Sequence, residues 1–203
     1  MIHRAYFFDS IRFYLDSNQS FDQNQVDGLN CLLDYYETVG IEGTGDYEDR
    51  YVAYILATAW HETAFTVQPI AEYGKGAGKP YGEPAGPYNQ VYYGRGFIQL
   101  TWYDNYVTQD EKLGLGGDLV KTPDLALDPA IATEILFGGM RDGDFTGKRL
   151  ADYFTDSLTD WYNARRIVNA TDQATTIAGY AEKFLNAIAH TFAPPRATEE
   201  LLP

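Results

Sequence analysis

Cysteine is almost absent from the sequence, which limits both covalent cross-linking and metal binding. The only cysteine among 203 residues is Cys31, so an internal disulfide and a cysteine-based metal cluster are excluded. The three histidines, His3, His61 and His190, are scattered along the chain and form no recognisable ligand motif. We therefore expect no metal and no cofactor.

Basic residues and long apolar runs are also scarce. The chain has 15 Lys and Arg residues against 29 Asp and Glu residues, a formal net charge of −14 that opposes nucleic-acid binding through phosphate groups. No apolar run approaches the length that spans a membrane, and charges interrupt residues 1–16 too often for a signal peptide. We expect a monomer made in the cytoplasm, without a nucleic-acid partner and without membrane insertion.

Apolar periodicity predicts a mainly helical protein, since apolar side chains recur at helical spacing along much of the chain. Helices are predicted over residues 23–39, 48–65, from about 128 to the glycines that follow, 147–154 and 175–192. A loop rich in glycine and proline covers residues 72–90, and loops of this length are often functional. We expect one domain over residues 1–203, with a helical segment at 1–45 packed on it and a tail at 193–203.

The string "YYGRGFIQLTWYDNY", residues 92–106, alternates in polarity after Gly96. A period of two predicts a half-buried strand, with alternate side chains on opposite faces. One face would carry Phe97, Gln99 and Thr101, and the other Ile98, Leu100 and Trp102. An amide and a hydroxyl on one face suit a polar ligand, while the other face would hold the strand on the core.

Two familiar catalytic motifs are excluded. "HETAF" lacks the second histidine of a zinc protease, because Phe65 stands at that position. "GKGAGKP" is too short for a phosphate-binding loop, and Pro80 stands where a serine or threonine would bind magnesium.

Two glutamates remain as candidates for acid–base chemistry. Glu62 lies at the end of an apolar helix beside Trp60 and Phe65, where it could be a cap, a salt-bridge partner or a carboxyl kept neutral by burial. Glu72 follows at the mouth of the glycine-rich loop. Facing each other across a groove, one carboxyl could protonate a leaving oxygen while the other activates water, as in inverting glycosidases with carboxyls ~6.5–9.5 Å apart.

"HET" in a helix, a glutamate ten residues later, and "YYGRGFIQLTW" followed by "NY" together resemble glycoside hydrolase family 19. This family includes chitinases and a branch of phage lysozymes, and weaker agreement extends through "TPDLALDP" and "RRIVNATD". The resemblance implies a mainly α, lysozyme-like α+β fold, in which two helical lobes and a small β region line a substrate cleft.

The resemblance also implies roles for individual residues. Glu62 would be the general acid and Glu72 the general base, with Glu83 as a rival for the base, while Thr101 would position water. Among several departures from the family pattern, this chain has Ala64 and Phe65 where the family has paired glycines. Substrate binding would involve His61, Tyr93, Arg95, Gln99, Trp102, Asn105 and Asn169, with Arg95 left open as a purely structural residue.

The implied activity is hydrolysis, with inversion, of β-1,4 bonds between N-acetylhexosamines. Likeness to phage members favours bacterial peptidoglycan as the polysaccharide substrate, as for an endolysin that acts on the cell wall after release. Chitin is the alternative substrate. A second alternative is a carbohydrate-binding or virion structural relative that has lost turnover.

Overall fold

The computed structural model describes residues 2–15, 20–41 and 48–188, and these form seven α-helices and two small antiparallel sheets. The helices are α1 (Arg4–Leu15), α2 (Gln23–Val39), α3 (Glu48–Glu62), α4 (Tyr103–Leu113), α5 (Asp118–Lys121), α6 (Pro129–Asp142) and α7 (Ala174–Ile188). The strands are β1 (Ile70–Ala71), β2 (Arg95–Gly96), β3 (Phe154–Thr155) and β4 (Leu158–Thr159). The prediction of a mainly α protein with a small β region is confirmed, and the predicted tail at 193–203 lies outside the described residues.

Helix α3 is the centre of the core. Every residue from Tyr51 to Trp60 is buried, which is typical of a helix that is apolar on all sides. Helix α7 packs along α3, and α1 packs against α7, where the rings of Phe7 and Phe184 stack with their centroids 6.2 Å apart. Glu62 therefore ends a helix that its neighbours hold on every side.

Helix α2 supports the turn that follows α3. It begins with a capping box, in which Asp22 accepts a hydrogen bond from the Gln25 amide and the Gln25 side chain accepts one from the Asp22 amide. The helix lies so close to this turn that a Cβ atom on Gly28 would stand 1.7 Å from the carbonyl oxygen of Val67. Glycine is required at this contact, because any side chain would push the turn away from α2.

The other helices continue this framework. Helix α6 contacts α2, α3 and α4, while α4 packs against α5. Asp128 caps α6 through its side chain, Pro129 occupies the first turn, and Gly143 ends the helix in the left-handed conformation. Helix α6 thus joins the helices around α3 to those that follow the "YYGRG" string.

The predicted strand after Gly96 is wrong. β2 pairs with β1, and the chain then reverses so that Arg95 also bridges to Leu100. The reversal occurs in a tight turn over residues 97–99, where Gln99 has a φ of 55°. The segment is therefore a short hairpin, and alternate side chains do not lie on opposite faces as they would in a continuous strand.

The side chains of this hairpin are consequently distributed differently from the prediction. Phe97, Ile98 and Leu100 are all buried, although the alternation placed them on two faces. Trp102, expected to hold the strand on the core, is 48% exposed.

Several helix boundaries also differ from the predictions. Helix α3 ends at Glu62 rather than at residue 65, and the segment predicted as a helix over 147–154 contains only a 3-10 turn, Leu150–Asp152, before β3. Helix α7 is described to Ile188, so the predicted end of this helix at residue 192 lies outside the described residues. Among the residues that the structure describes, no helix is both long and apolar enough to cross a membrane.

Candidate active site

The turn after α3 fixes the position of Glu62. The Thr63 hydroxyl donates to the Ala59 carbonyl at 2.8 Å and accepts from the Val67 amide at 2.9 Å. Ala64 and Phe65 adopt left-handed backbone angles, with φ of 50° and 71°. Glycine adopts such angles without strain, which gives a physical reason for the paired glycines at these two positions in the family that the sequence resembles.

The Glu62 carboxylate is paired with a buried cation. Arg165 Nη1 donates to Glu62 Oε1 at 2.5 Å, and Arg165 Nε donates to the Asp172 carbonyl at 3.0 Å. The Arg165 side chain is 4% exposed, whereas that of Glu62 is 16% exposed. Solvent therefore reaches the carboxylate but hardly reaches its partner, so Glu62 is a salt-bridge partner that a substrate could also contact.

His61 precedes Glu62 and is half-buried at the end of the same helix. Burial lowers the pKa of His61, and the Glu62 charge opposes this shift. Its Nδ1 atom is buried without a hydrogen-bond partner among the described residues. At neutral pH His61 is thus an uncharged neighbour of the candidate acid.

Glu72 is tied to the "YYGRG" string. It follows β1 directly, and its backbone amide donates to the Gly94 carbonyl at 2.7 Å. Its carboxylate accepts from the Gly94 amide at 3.3 Å through Oε2 and from the Tyr81 hydroxyl at 3.2 Å through Oε1. Sequence reasoning missed Tyr81, which is one of three tyrosines in the loop and carries no motif that distinguishes it.

Arg95 lies beneath the surface and contacts the backbone and side chains around it. It is 4% exposed, donates from Nε to Asp124 at 2.8 Å, and donates from Nη1 to the Tyr106 hydroxyl at 3.2 Å. Its guanidinium carbon lies 3.5 Å from the centre of the Tyr93 ring, a close cation–π contact. These contacts are those of a structural residue, the role that the sequence left open for Arg95, and substrate binding by Arg95 stays a prediction.

Four of the predicted site residues line one cavity of about 160 Å³, together with Ile98, Leu100, Phe145 and Val168. These four are Gln99, Thr101, Trp102 and Asn105. The Gln99 amide nitrogen donates to the Ile70 and Gly96 carbonyls at 3.0 and 3.2 Å, and that of Asn105 donates to the Thr101 carbonyl at 2.9 Å. Both amide nitrogens thus hold the backbone, whereas the Thr101 hydroxyl has no hydrogen-bond partner among the described residues.

Asn169 lies at the end of the segment that supplies Arg165. Its backbone N–H donates to the Arg165 carbonyl at 3.0 Å, its side-chain oxygen accepts from the Ala170 backbone N–H at 2.8 Å, and the residue is exposed. Val168, which lines the cavity with Thr101, immediately precedes it. One short segment therefore connects the partner of Glu62 to the cavity wall.

The two glutamates belong to separate contact networks. In the part of the chain that the structure describes, Glu62 and Glu72 have no common hydrogen-bond partner, and no group of three or more His, Cys, Asp or Glu residues could hold a metal ion. Glu83, the rival for the base, is exposed on the loop. The arrangement offers two independently anchored carboxyl groups, one beside a cation and one beside neutral donors.

Comparison with known proteins gives local sequence matches. The chain is 36% identical over 107 residues to Endochitinase EP3 of Arabidopsis thaliana, and the matched segment covers 49% of this chain and 37% of that protein. It is 55% identical over 42 residues to Acidic endochitinase pcht28 of Solanum chilense, and this segment covers 20% of this chain and 17% of that protein. The chain therefore spans well under half the length of these curated relatives. No family model matches it.

The fold is similar to those of solved chitinases. Chitinase C from Streptomyces griseus HUT6037 aligns with a TM-score of 0.62 at 21% identity, over 95% of this chain and 78% of that one. The family GH19, class IV chitinase from Zea mays aligns with a TM-score of 0.53 at 18% identity, over 92% of both chains. At these identities the likeness establishes the fold alone. The resemblance to glycoside hydrolase family 19 is thereby confirmed, by sequence in the matched segments and by fold over most of the chain.

Proposed function

We propose that this chain is an inverting glycoside hydrolase that cleaves β-1,4 bonds between N-acetylhexosamines, with Glu62 as the general acid and Glu72 as the general base. The observation that carries the proposal is the pair of separately anchored carboxyl groups. Glu62 is held at the end of buried helix α3 by Arg165, and Glu72 is held on the "YYGRG" backbone by Gly94. Inverting hydrolysis requires two carboxyl groups, one that donates a proton and one that activates water.

The reaction transfers one proton at each carboxyl group. Glu62 donates its proton to the glycosidic oxygen as the bond from that oxygen to the anomeric carbon breaks. Glu72 takes a proton from water as the water oxygen bonds to the opposite face of the same carbon, which inverts its configuration. The Thr101 hydroxyl, which has no hydrogen-bond partner among the described residues, is the group that we propose positions this water.

Arg165 supports the proposed acid role of Glu62 during proton transfer. An acid catalyst becomes negative as its proton leaves, and the Arg165 guanidinium, 2.5 Å from Glu62 Oε1, stabilises the charge that develops there.

Chitin is the substrate that we propose first. The names of both curated relatives, endochitinases of plants, support it. Because the matched segments cover only part of those proteins, this substrate is an inference from partial likeness. The cavity beside Thr101 and Asn105 supplies the polar groups that could contact an N-acetyl group.

Peptidoglycan is the second candidate substrate, and one feature of the loop favours it. Lys75 and Lys79 lie on the exposed loop that begins at Glu72, and neither forms an ion pair within the described residues. Two free cations on a chain of net charge −14 would attract the carboxylates of peptide-bearing wall polymers. Uncharged chitin would gain nothing from them.

Digestion of both polymers tests the activity and the substrate. The purified protein is incubated with the chitin hexamer and with purified peptidoglycan, and mass spectrometry identifies the products while NMR follows the new anomeric centre. We expect the α-anomer of the new reducing end to appear first, since the substrate bond is β. An initial β-anomer would rule out inversion, and calorimetric binding of oligomers without new reducing ends would indicate a non-catalytic carbohydrate-binding protein.

Two matched substitutions test which glutamate is the base. Glu72→Gln should lower kcat by about 10²–10⁴-fold, the usual loss on removing a general base. Glu83→Gln, on the same loop but exposed, should retain activity within about twofold of wild type. The reverse result would transfer the base assignment to Glu83.

A further inference from the structure

The loop that begins at Glu72 closes on itself. A Cβ atom on Gly82 would lie 1.9 Å from the carbonyl oxygen of Gly76, and one on Gly76 would lie 2.6 Å from Gly82 Cα. The two glycine backbones are thus in direct contact, which no larger residue would permit. The Lys75 amide closes the first turn by donating to the Glu72 carbonyl at 3.0 Å. As a result Tyr81, nine residues after Glu72, returns to it.

Tyr81 makes two specific contacts at this point. Its hydroxyl donates to Glu72 Oε1 at 3.2 Å, and its ring meets that of Trp102 edge-on, with centroids 5.5 Å apart and planes at 76°. Burial raises the pKa of Tyr81, and the Glu72 charge and hydrogen bond raise it further. The phenol therefore keeps its proton at neutral pH and acts as a donor to the carboxylate.

The second oxygen of the same carboxylate is held from the opposite strand. Gly94 donates its amide proton to Glu72 Oε2 at 3.3 Å. Each carboxylate oxygen thus accepts one hydrogen bond, from the loop at Oε1 and from the "YYGRG" string at Oε2. Two hydrogen bonds, one to each oxygen, fix the plane of the carboxylate, while each oxygen retains a lone pair that can accept a proton.

We propose that Tyr81 is a positioning residue for the general base, fixing the orientation of the Glu72 carboxylate through Oε1. This inference rests on the proposed function, which makes Glu72 the base. A base held in one orientation meets its water without first losing rotational freedom, so the hydrogen bond contributes to turnover rather than to substrate binding. Trp102 contributes to this orientation of Glu72 by holding the Tyr81 ring in place.

Removal of one hydroxyl tests the proposal, with a second tyrosine of the loop as the control. Tyr81→Phe keeps the ring against Trp102 and removes only the donor, whereas Tyr73, adjacent to Glu72, is 90% exposed. On the chitin hexamer we expect Tyr81→Phe to lower kcat about tenfold, with KM within about twofold of wild type. The acidic limb of the kcat–pH profile should move to higher pH, because a carboxylate that has lost a donor is protonated more easily. Tyr73→Phe should change neither quantity.

Two results would overturn the inference while leaving the proposed function intact. In the first, Tyr81→Phe and Tyr73→Phe have the same kcat and the same pH profile, and the wild type is active. In the second, Tyr81→Phe lowers the residual activity of Glu72→Gln by a further tenfold, which would mean that Tyr81 does not act through Glu72. A wild-type protein that cleaves neither chitin nor peptidoglycan would refute the proposed function itself, and the positioning role with it.

Discussion

The substitution Glu62→Gln should remove most of the hydrolytic activity and leave the chain folded. The stability cost can be worked from the Arg165 contact, in which the guanidinium is 4% exposed and lies 2.5 Å from Glu62 Oε1. Breaking a buried ion pair outright costs about 3–5 kcal/mol. Glutamine keeps an oxygen that can accept the same hydrogen bond, Glu62 is 16% exposed to water, and Arg165 retains the Asp172 carbonyl. We therefore expect a loss of about 1–2 kcal/mol in the free energy of unfolding.

The effect on activity should be far larger than the effect on stability. Glutamine cannot donate a proton to the leaving oxygen, and removing a general acid typically lowers kcat by about 10²–10⁴-fold. The assay is hydrolysis of the chitin hexamer, followed by chromatography, alongside thermal unfolding monitored by circular dichroism. For a chain of this size the stability loss corresponds to a melting temperature lower by about 2–8 °C.

A carboxylate outside the site supplies the control. Glu182→Gln, on the exposed side of α7, removes the same charge and should change neither kcat nor the melting temperature. If Glu62→Gln retained kcat within about fivefold of wild type, Glu62 would not be the acid. If the variant were unfolded at 25 °C, the reasoning on Arg165 would be wrong instead.

Two further predictions concern stability. Gly28→Ala should cost about 1–3 kcal/mol in urea unfolding, because the new methyl group would stand 1.7 Å from the Val67 carbonyl oxygen. Gly138→Ala, where a methyl group would meet no atom within 4 Å apart from the neighbouring backbone of its own helix, should instead stabilise the protein by up to about 1 kcal/mol. Equal effects of the two glycine substitutions would contradict this packing argument. The Arg141 side chain, hydrogen-bonded to Asp142, lowers the pKa of Asp142 to about 2. The ionised Asp142 should therefore stabilise the folded protein fully above about pH 4, and this contribution to the free energy of unfolding should decline as the pH falls towards 2. Urea unfolding at several pH values should show less loss of stability on acidification in Asp142→Asn than in wild type, and an identical loss in both would refute this.

The helices that the sequence predicted well have local signals at their ends. Helix α2 has the capping box at Asp22 and stops at Gly40, and α3 has two acidic residues in its first turn. Helix α4 was missed because it lacks a side-chain cap. The residue before it, Trp102, has a φ of 72°, and its first residues continue the alternating string. Local propensity therefore favoured a strand where the chain begins a helix.

The hairpin at residues 95–100 was not predictable from a polarity pattern. Its turn needs a left-handed residue at Gln99, which is an unusual backbone angle for a glutamine. The Gln99 amide holds this turn by donating to the Ile70 and Gly96 carbonyls. Because Ile70 is 29 residues away, the interaction that selects the turn over a strand is absent from any local window.

The candidate site shows a similar division between local and long-range information. The positions of Glu62 and Glu72 follow from a motif and its spacing, but their partners do not. Arg165 lies 103 residues from Glu62, and adjacent Arg166 is indistinguishable from it by residue type. Only the fold decides which of the two is buried beside Glu62, because the 3-10 helix that carries them exposes one and buries the other.

The charges around the two glutamates also support the direction of proton transfer. During inverting hydrolysis the acid becomes negative as it loses its proton, and the base becomes neutral as it gains one. Arg165 beside Glu62 stabilises a negative product there, whereas Glu72 is held only by neutral donors, Tyr81 and Gly94, within the described residues. With the roles exchanged, the proton would be accepted beside a buried cation and released where no cation stabilises the remaining charge, and both steps would be less favourable. The asymmetry of the partners therefore favours the proposed roles at the moment of proton transfer, when Glu62 becomes negative and Glu72 becomes neutral.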